Sequence, residues 1–147
     1  MILGLGSDLV NVERIRRSVD GLGERWVNKV LLRGEIERAS AWNDAMYIAK
    51  LFAAKEACSK ALGTGMVNGV HWHDFEIALP NKAIFSNNAL HRLNEIIGEA
   101  QEGHVFLDVF CRNGFAGAIV VISNSLVLRY WVDFSDTIAI LMLDFRT

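Results

Sequence analysis

The stretch YIAKLFAAKEACSKALGTGMVNG, residues 47–69, constrains the fold more than any other part of this chain. Few polar residues interrupt its apolar run, so most of it must be buried. A glycine just beyond such a run is a typical helix stop, and Gly63 occupies that position. The stretch therefore predicts one long buried helix over residues 43–62, followed by a glycine-rich loop over residues 63–69.

A few charged side chains lie on this predicted helix. Phe52, Glu56 and Lys60 are spaced by four residues and share one stripe, with Ser59 beside it. Glutamate and lysine are rarely buried without partners, and a cleft that holds a charged ligand would supply them. The alternative is an ion pair that faces water, which stabilises a helix by only about 0.2–0.5 kcal/mol. Periodicity alone favours the surface pair.

Two motifs resemble the signatures of one known family. FAAKEACSKALGTG, residues 52–65, resembles a signature of the holo-acyl-carrier-protein synthases, the small phosphopantetheinyl transferases. GLGSDLVNVERI, residues 4–15, resembles their other signature, an Asp after a first strand followed by a helix with an Arg. Two separated motifs in the right order make the resemblance specific. It covers residues 1–80 well and residues 81–122 loosely.

The resemblance implies an α+β protein with the 4'-phosphopantetheinyl transferase fold, in which an antiparallel sheet wraps around one long central helix. The transferase domain is expected over residues 1–123. Residues 124–147 are hydrophobic and have no counterpart in the family. We expect them to form a C-terminal extension, packed as additional β-structure on the same or a neighbouring subunit.

Hydrophobic periodicity predicts the other elements. Helices are expected over residues 12–19, 24–32, 35–41 and 89–97, and strands over residues 1–5, 75–79, 104–109 and 115–122. Residues 80–88 read as a turn-rich segment. Asp8 after the first strand could be a helix N-cap, but Asn11 is an equally good cap and leaves Asp8 free. The family's capping Thr is missing before the third helix, so a frayed start is expected near Gly34.

The resemblance implies an enzyme that transfers the 4'-phosphopantetheine arm of coenzyme A to a serine of apo acyl carrier protein. Adenosine 3',5'-bisphosphate is released, and the step belongs to fatty acid biosynthesis. Asp8 and Glu56 match the family's two metal-binding carboxylates, and Mg²⁺ is the metal implied, since it takes oxygen ligands. Lys60 matches the family lysine beside the phosphates. Asp8, Glu56 and Lys60 are thus the expected catalytic residues.

Coenzyme A is the expected substrate, and the central helix and the loop after it are expected to bind it. The residues that would contact coenzyme A are Lys55, Ser59, Lys60, Gly63, Thr64 and Gly65. Glycine lets a ligand approach the backbone closely. Taken without the resemblance, the three glycines of residues 63–69 indicate a plain turn.

The other expected partner is apo acyl carrier protein, which is acidic. Arg14, Arg16 and Arg17 are expected to dock it, because guanidinium groups pair well with carboxylates and phosphates. A solvated helix face is the simpler interpretation of the same charges. The resemblance also implies a homotrimer with active sites between adjacent subunits.

Composition excludes several classes of protein. The net charge of −2 argues against general nucleic-acid binding. No apolar run approaches the ~20 residues that span a bilayer, so no membrane segment is expected. Cys58 and Cys111 form no disulfide framework, which favours a reducing cytoplasm.

Two rival hypotheses remain at this point. One is a catalytically degenerate module that binds coenzyme A or a carrier protein, suggested by Asp108 and Val109 where the family commonly has Ser and His. The other is an unrelated α+β oligomer in which Glu56 and Lys60 form a surface pair.

Overall fold

The structure, a computed structural model, describes residues 1–98 and 102–124. Its helices are α1 (Val12–Leu22), α2 (Glu24–Val30), α3 (Arg33–Glu37), α4 (Ala45–Ala61) and α5 (Asn87–Ile97), and a short 3-10 turn covers Trp72–Asp74. The strands are β1 (Ile2–Asn11), β2 (Phe75–Ala78), β3 (Lys82–Phe85), β4 (His104–Arg112) and β5 (Phe115–Ser123). This mixture of helices and antiparallel strands confirms the expected α+β class.

Two antiparallel sheets are present among the described residues. The larger has the strand order β1-β5-β4, and the smaller is the hairpin β2-β3. In the larger sheet the first and last described strands are neighbours, with Asp8 opposite Ala118 and Val10 opposite Ala116. Helix α4 packs against β1, β5, β4 and β2. The expected arrangement of sheet around one long helix is therefore confirmed.

Helix α4 lies in the core of the protein. Asp44 caps its N-terminus by accepting a hydrogen bond from the Tyr47 amide at 3.1 Å. Ile48, Leu51 and Ala54 are fully buried along its length. The helix ends at Ala61, and Gly63 just beyond it has a φ of 72° that suits glycine. The long helix predicted over residues 43–62 is thus present, shorter by two residues at the start and one at the end.

Two glycines let α4 approach β1 closely. A Cβ atom at Gly6 would overlap the backbone carbonyl oxygen of Ala57, and one at Gly4 would overlap that of Ala61. Successive residues of a strand alternate between its faces, so Gly4, Gly6 and Asp8 all point to the same side. The face of β1 that carries Asp8 is therefore the face that α4 covers.

Strand β1 and helix α1 are both longer than expected. The strand continues to Asn11, so Asp8 lies within it instead of after it. Asn11 caps α1, with its side-chain oxygen accepting from the amides of Glu13 at 2.9 Å and Arg14 at 3.2 Å. Asp8 is consequently free of the capping role, as the sequence indicated. Helix α1 runs on to Leu22 and stops at Gly23.

The expectation of a frayed start near Gly34 was wrong. Helix α3 begins at Arg33, and the carboxylate of Glu35 accepts a hydrogen bond from the Leu32 amide at 2.8 Å. A glutamate at the third helical position can satisfy the amide that precedes the helix. The helix ends at Glu37, earlier than the predicted residue 41.

The predicted turn-rich segment also contains a strand. Strand β3 covers Lys82–Phe85 and pairs with β2, with Phe75 opposite Phe85. Residues 125–147 lie outside the described part of the chain, and so does the predicted C-terminal extension apart from Asn124. The expected domain boundary at residue 123 stays a prediction. Within the described residues, no helix combines the length and apolarity needed to cross a bilayer.

Substitution of Gly6 tests the close packing of α4 on β1. Gly6→Ala places a methyl group against the Ala57 carbonyl, and overpacking of this kind costs about 1–3 kcal/mol. Urea denaturation should show that loss. Gly21→Ala in α1 is the matched control, because a methyl group there would meet no described atom within 4 Å. The control should lose nothing and gain up to about 1 kcal/mol. Equal stability of Gly6→Ala and wild type would contradict the packing.

Candidate active site

Asp8 and Lys60 form an ion pair at the junction of β1 and α4. The Lys60 Nζ atom lies 2.7 Å from Asp8 Oδ1 and donates a second hydrogen bond to the Ser7 carbonyl at 3.1 Å. The Asp8 side chain is 16% exposed and that of Lys60 is 46% exposed. The pair is therefore reachable from solvent, and Asp8 is held mostly inside the protein.

Glu56 lies one helical turn before Lys60 and belongs to the same electrostatic neighbourhood. Its side chain is half-buried, and this burial raises its pKa. The negative charge of Asp8 raises the pKa of Glu56 further, while Lys60 lowers it. Two carboxylates and one ammonium group thus interact across the β1–α4 junction. The structure brings together the three residues that the two motifs predicted.

The chemistry of this donor set fits a hard divalent cation. The carboxylates of Asp8 and Glu56 repel each other, and the single charge of Lys60 offsets only part of that repulsion. A second positive charge would lower it further. Mg²⁺ is held in proteins by one or two carboxylates, with waters and substrate phosphates as the other ligands. The described residues contain no group of three or more His, Cys, Asp and Glu side chains suited to a metal. Asp8 and Glu56 are the residues here that could hold such an ion, with water and substrate oxygens as its other ligands.

Lys55 is not at this site, and its expected contact with coenzyme A is corrected. The side chain is completely buried, and its Nζ atom lies 2.7 Å from Glu35 Oε2. It also donates hydrogen bonds to the carbonyls of Val30 at 2.9 Å and Trp72 at 3.1 Å. All three donors of the ammonium group are used inside the protein. Lys55 therefore joins α4 to α3, α2 and the turn before β2.

Glu35 is the residue that the sequence analysis missed as the partner of Lys55. Its Oε1 accepts from the Ile77 amide at 2.8 Å, and its Oε2 accepts from the Leu32 amide. Both side chains of the pair have no exposed surface. Burial lowers the pKa of Lys55, and the negative charge of Glu35 opposes that effect. The signal available in the sequence was Lys55 itself, a charged residue within an apolar segment. That signal does not indicate where its partner lies.

Ser59 also faces the interior, which corrects its expected hydrogen bond to the diphosphate. Its side chain is fully buried and donates to the Glu56 carbonyl at 2.9 Å, within the helix. The neighbouring Cys58 is fully buried as well, and burial raises the pKa of its thiol to about 12. Both residues serve the packing of α4.

The glycine-rich loop follows directly on the C-terminus of α4. Gly63 and Gly65 have φ values of 72° and 64°, in the left-handed region that favours glycine. The Gly63 amide donates to the Lys60 carbonyl at 2.9 Å, and the Gly65 amide donates to the Ser59 carbonyl at 3.1 Å. The half-buried Thr64 donates its hydroxyl to the Gly65 carbonyl. The loop thus starts within one turn of Lys60.

The three arginines of α1 are exposed on its outer side. Glu13 lies 3.4 Å from Arg16 and 3.6 Å from Arg17. Arg14 forms no ion pair within the described residues and lines a groove of about 660 Å³. That groove is also lined by Asn11, Glu13, Arg17, Ser18 and Leu22. A basic groove therefore lies on the helix that follows the strand of Asp8.

Comparison with known proteins first defines the class. A sequence model of the 4'-phosphopantetheinyl transferase superfamily matches residues 4–120. The solved holo-[acyl-carrier-protein] synthase of Neisseria meningitidis has a TM-score of 0.68 and 31% identity, over 84% of this chain and 99% of that one. The enzyme of Helicobacter pylori in complex with coenzyme A has a TM-score of 0.66 and 26% identity, over 81% of this chain and 99% of that one.

Relatives in sequence narrow the class to one family. The holo-[acyl-carrier-protein] synthase of Xanthobacter autotrophicus is 39% identical over 128 residues, covering 84% of this chain and 95% of the relative. That of Agrobacterium fabrum is 40% identical over 129 residues, covering 83% and 95%. The chain belongs to the holo-[acyl-carrier-protein] synthases of the 4'-phosphopantetheinyl transferase superfamily.

Lys55→Met tests the buried pair. The substitution leaves the Glu35 carboxylate buried without its counter-ion, and breaking such a pair costs about 3–5 kcal/mol. The free energy of unfolding from urea denaturation should fall by that amount. Lys50→Met, a lysine of the same helix that is only half-buried, is the control and should cost little. A Lys55→Met protein as stable as the control would contradict the structural role.

Proposed function

We propose that this chain transfers the 4'-phosphopantetheine arm of coenzyme A to a serine of apo acyl carrier protein, in fatty acid biosynthesis. The products are holo acyl carrier protein and adenosine 3',5'-bisphosphate. The observation that carries the proposal is the cluster of Asp8, Glu56 and Lys60, at the two motifs of a holo-[acyl-carrier-protein] synthase. The Helicobacter pylori relative in complex with coenzyme A supports the choice of substrate.

The reaction is a displacement at phosphorus. The serine oxygen bonds to the β-phosphorus of coenzyme A while the bond from that phosphorus to the bridging oxygen breaks. The serine proton passes to a base, and the leaving group carries the bridging oxygen away. Such chemistry asks the protein mainly for positioning and for stabilisation of charge. The half-exposed Lys60 ammonium can turn from Asp8 toward the diphosphate and offset its charge.

Asp8 and Glu56 are the proposed holders of Mg²⁺. When bound, the ion would neutralise the charge that builds on the diphosphate oxygens. The raised pKa of Glu56 reflects a carboxylate that burial and Asp8 make costly to ionise without added positive charge. The proposal of Mg²⁺ dependence therefore rests on the electrostatics of these two residues.

The nucleotide end of coenzyme A is proposed to lie along Gly63, Thr64 and Gly65. The first of these residues is three positions beyond Lys60, so a ligand that meets Lys60 can continue onto the loop. The two glycines carry no side chain that would keep a ligand from the backbone. Lys55 and Ser59 take no part, because both are buried.

The proposed docking surface for apo acyl carrier protein is the exposed side of α1, with Arg14, Arg16 and Arg17. Its support is the basic groove described above, in which Arg14 is free for a partner's carboxylate among the described residues. The helix starts at Val12, a few residues after Asp8. A carrier bound there would have its serine within reach of the same junction.

Assembly into a homotrimer with active sites between subunits is proposed as well. Its support is the outward face of the larger sheet, opposite to α4. Leu5 and Leu9 are 65% and 61% exposed there, and the ring of Phe110 lies over Gly117 on the same face. An exposed apolar sheet face of this kind is typical of a surface that another subunit covers.

The alternative of a degenerate binding module is not favoured, because the two carboxylates and the lysine are present and adjacent. A cytoplasmic location is proposed from the cysteines. Cys58 and Cys111 are both free thiols, which a reducing compartment preserves.

The proposed reaction is tested by mixing the protein with apo acyl carrier protein, coenzyme A and Mg²⁺. Mass spectrometry should show the carrier heavier by one phosphopantetheine arm. Asp8→Asn and Glu56→Gln keep the side-chain size and remove the charge that would hold Mg²⁺. Each should lower kcat by more than about a hundredfold, as loss of a main electrostatic group does.

The control for these variants is Glu24→Gln, an exposed acid at the start of α2. It should transfer at the wild-type rate. Circular dichroism should show all three variants folded. Near-normal turnover by Asp8→Asn or Glu56→Gln would refute the metal assignment, and a wild-type protein that never modifies the carrier would refute the function.

A further inference from the structure

The loop proposed to receive coenzyme A has a backbone that needs outside support. Four of its residues lie in the left-handed region: Gly63, Gly65, Asn68 and Gly69, with φ values of 72°, 64°, 57° and 83°. Glycine-rich backbone has more conformational freedom to lose on ordering than any other. A loop of this composition would bind a ligand weakly if it had to be ordered at the moment of binding.

Helix α5 supplies that support at both ends of the loop. The Arg92 Nε atom donates to the carbonyl of Leu62, the residue before Gly63, at 3.2 Å. The Asn88 Nδ2 atom donates to the carbonyl of Gly69 at 2.7 Å. Neither contact involves Asp8, Glu56 or Lys60, and neither residue belongs to the two motifs.

The spacing of the two side chains makes them a clamp. Residues four apart lie on the same face of a helix, about 6 Å apart along its axis. Asn88 and Arg92 therefore bind the carbonyls of Gly69 and Leu62 from one face of α5. A side chain at position 69 would press on the Asn88 amide, since a Cβ there would lie 2.8 Å from Nδ2. Gly69 is thus the residue that lets Asn88 reach the loop.

We propose that Asn88 and Arg92 are positioning residues that hold loop 63–69 in its coenzyme A-binding shape. The inference rests on the proposed function for its ligand, but the clamp itself is a property of the free protein. The conformational entropy of the loop is lost when the protein folds and not when the ligand binds, so the loop is preorganised for the nucleotide. Loss of either hydrogen bond should weaken coenzyme A binding and leave carrier binding unchanged.

The test uses Asn88→Asp and Arg92→Ala. Asn88→Asp keeps the shape of the side chain but places an oxygen, which cannot donate, against the Gly69 carbonyl. KM for coenzyme A should rise about two- to tenfold in each variant, the effect of one hydrogen bond, with kcat and KM for the carrier nearly unchanged. A variant that merely unfolds in part would lose apparent kcat and keep its KM.

The second readout is hydrogen exchange of the Gly65 and Val70 amides, followed by NMR in the protein without coenzyme A. These amides bond to Ser59 and Val67, so they report the order of the loop itself. Exchange should be faster in both variants. Asn94→Asp, the same change at an exposed position of α5, is the matched control and should alter neither readout.

Unchanged exchange in Asn88→Asp and Arg92→Ala would overturn the proposal. A higher KM with unchanged exchange would also overturn it, because that pattern indicates direct contact with coenzyme A. If the wild-type protein transfers nothing, the proposed function fails, and the exchange rates still decide whether α5 holds the loop.

Discussion

The arrangement of side chains at the candidate active site depends on the close approach of the α4 backbone to β1. Gly4 and Gly6 leave no side chain between the strand and the carbonyls of Ala57 and Ala61. Asp8 is the next residue along the same face of β1, and Lys60 of the closely packed helix reaches its carboxylate. An ordinary side chain at position 6 would hold the helix away from the strand. Two small residues thus determine whether two acids that are distant in sequence can act together.

Two of the three lysines of helix α4, Lys55 and Lys60, have opposite uses, and their surroundings decide which is which. Lys55 is completely buried, and Glu35 together with two backbone carbonyls accepts the hydrogen bonds of all three ammonium donors. Lys60 is half-exposed and shares its charge between Asp8 and the solvent. A buried pair is hard to break, because either partner alone would be an uncompensated charge. An exposed pair is exchanged readily for a ligand, because water screens the separated charges. The buried pair therefore fixes the helix, and the exposed one is available for chemistry.

The sequence predicted most of the fold and only part of the site, and the reasons are physical. The two motifs identified Asp8, Glu56 and Lys60, which the structure brings together. Periodicity could not assign the faces of α4, because a helix with apolar residues on every side has no polar stripe to orient it. Lys55 and Ser59 were consequently placed at the ligand although both are buried. Glu35 was beyond prediction as a partner, since only the packing of α3 on the core brings it to Lys55. Strand β3 was not predicted, because turn-forming residues surround it and only its pairing with β2 makes it a strand.

The central claim is that Asp8 and Glu56 bind one divalent cation against the diphosphate of coenzyme A. The most direct measurement is a crystal structure of the protein with Mn²⁺, standing in for Mg²⁺, and coenzyme A, with the metal located by its anomalous scattering. The account predicts one Mn²⁺ ion that contacts both carboxylates and an oxygen of the diphosphate. An ion that contacts neither Asp8 nor Glu56 while coenzyme A is bound would contradict it.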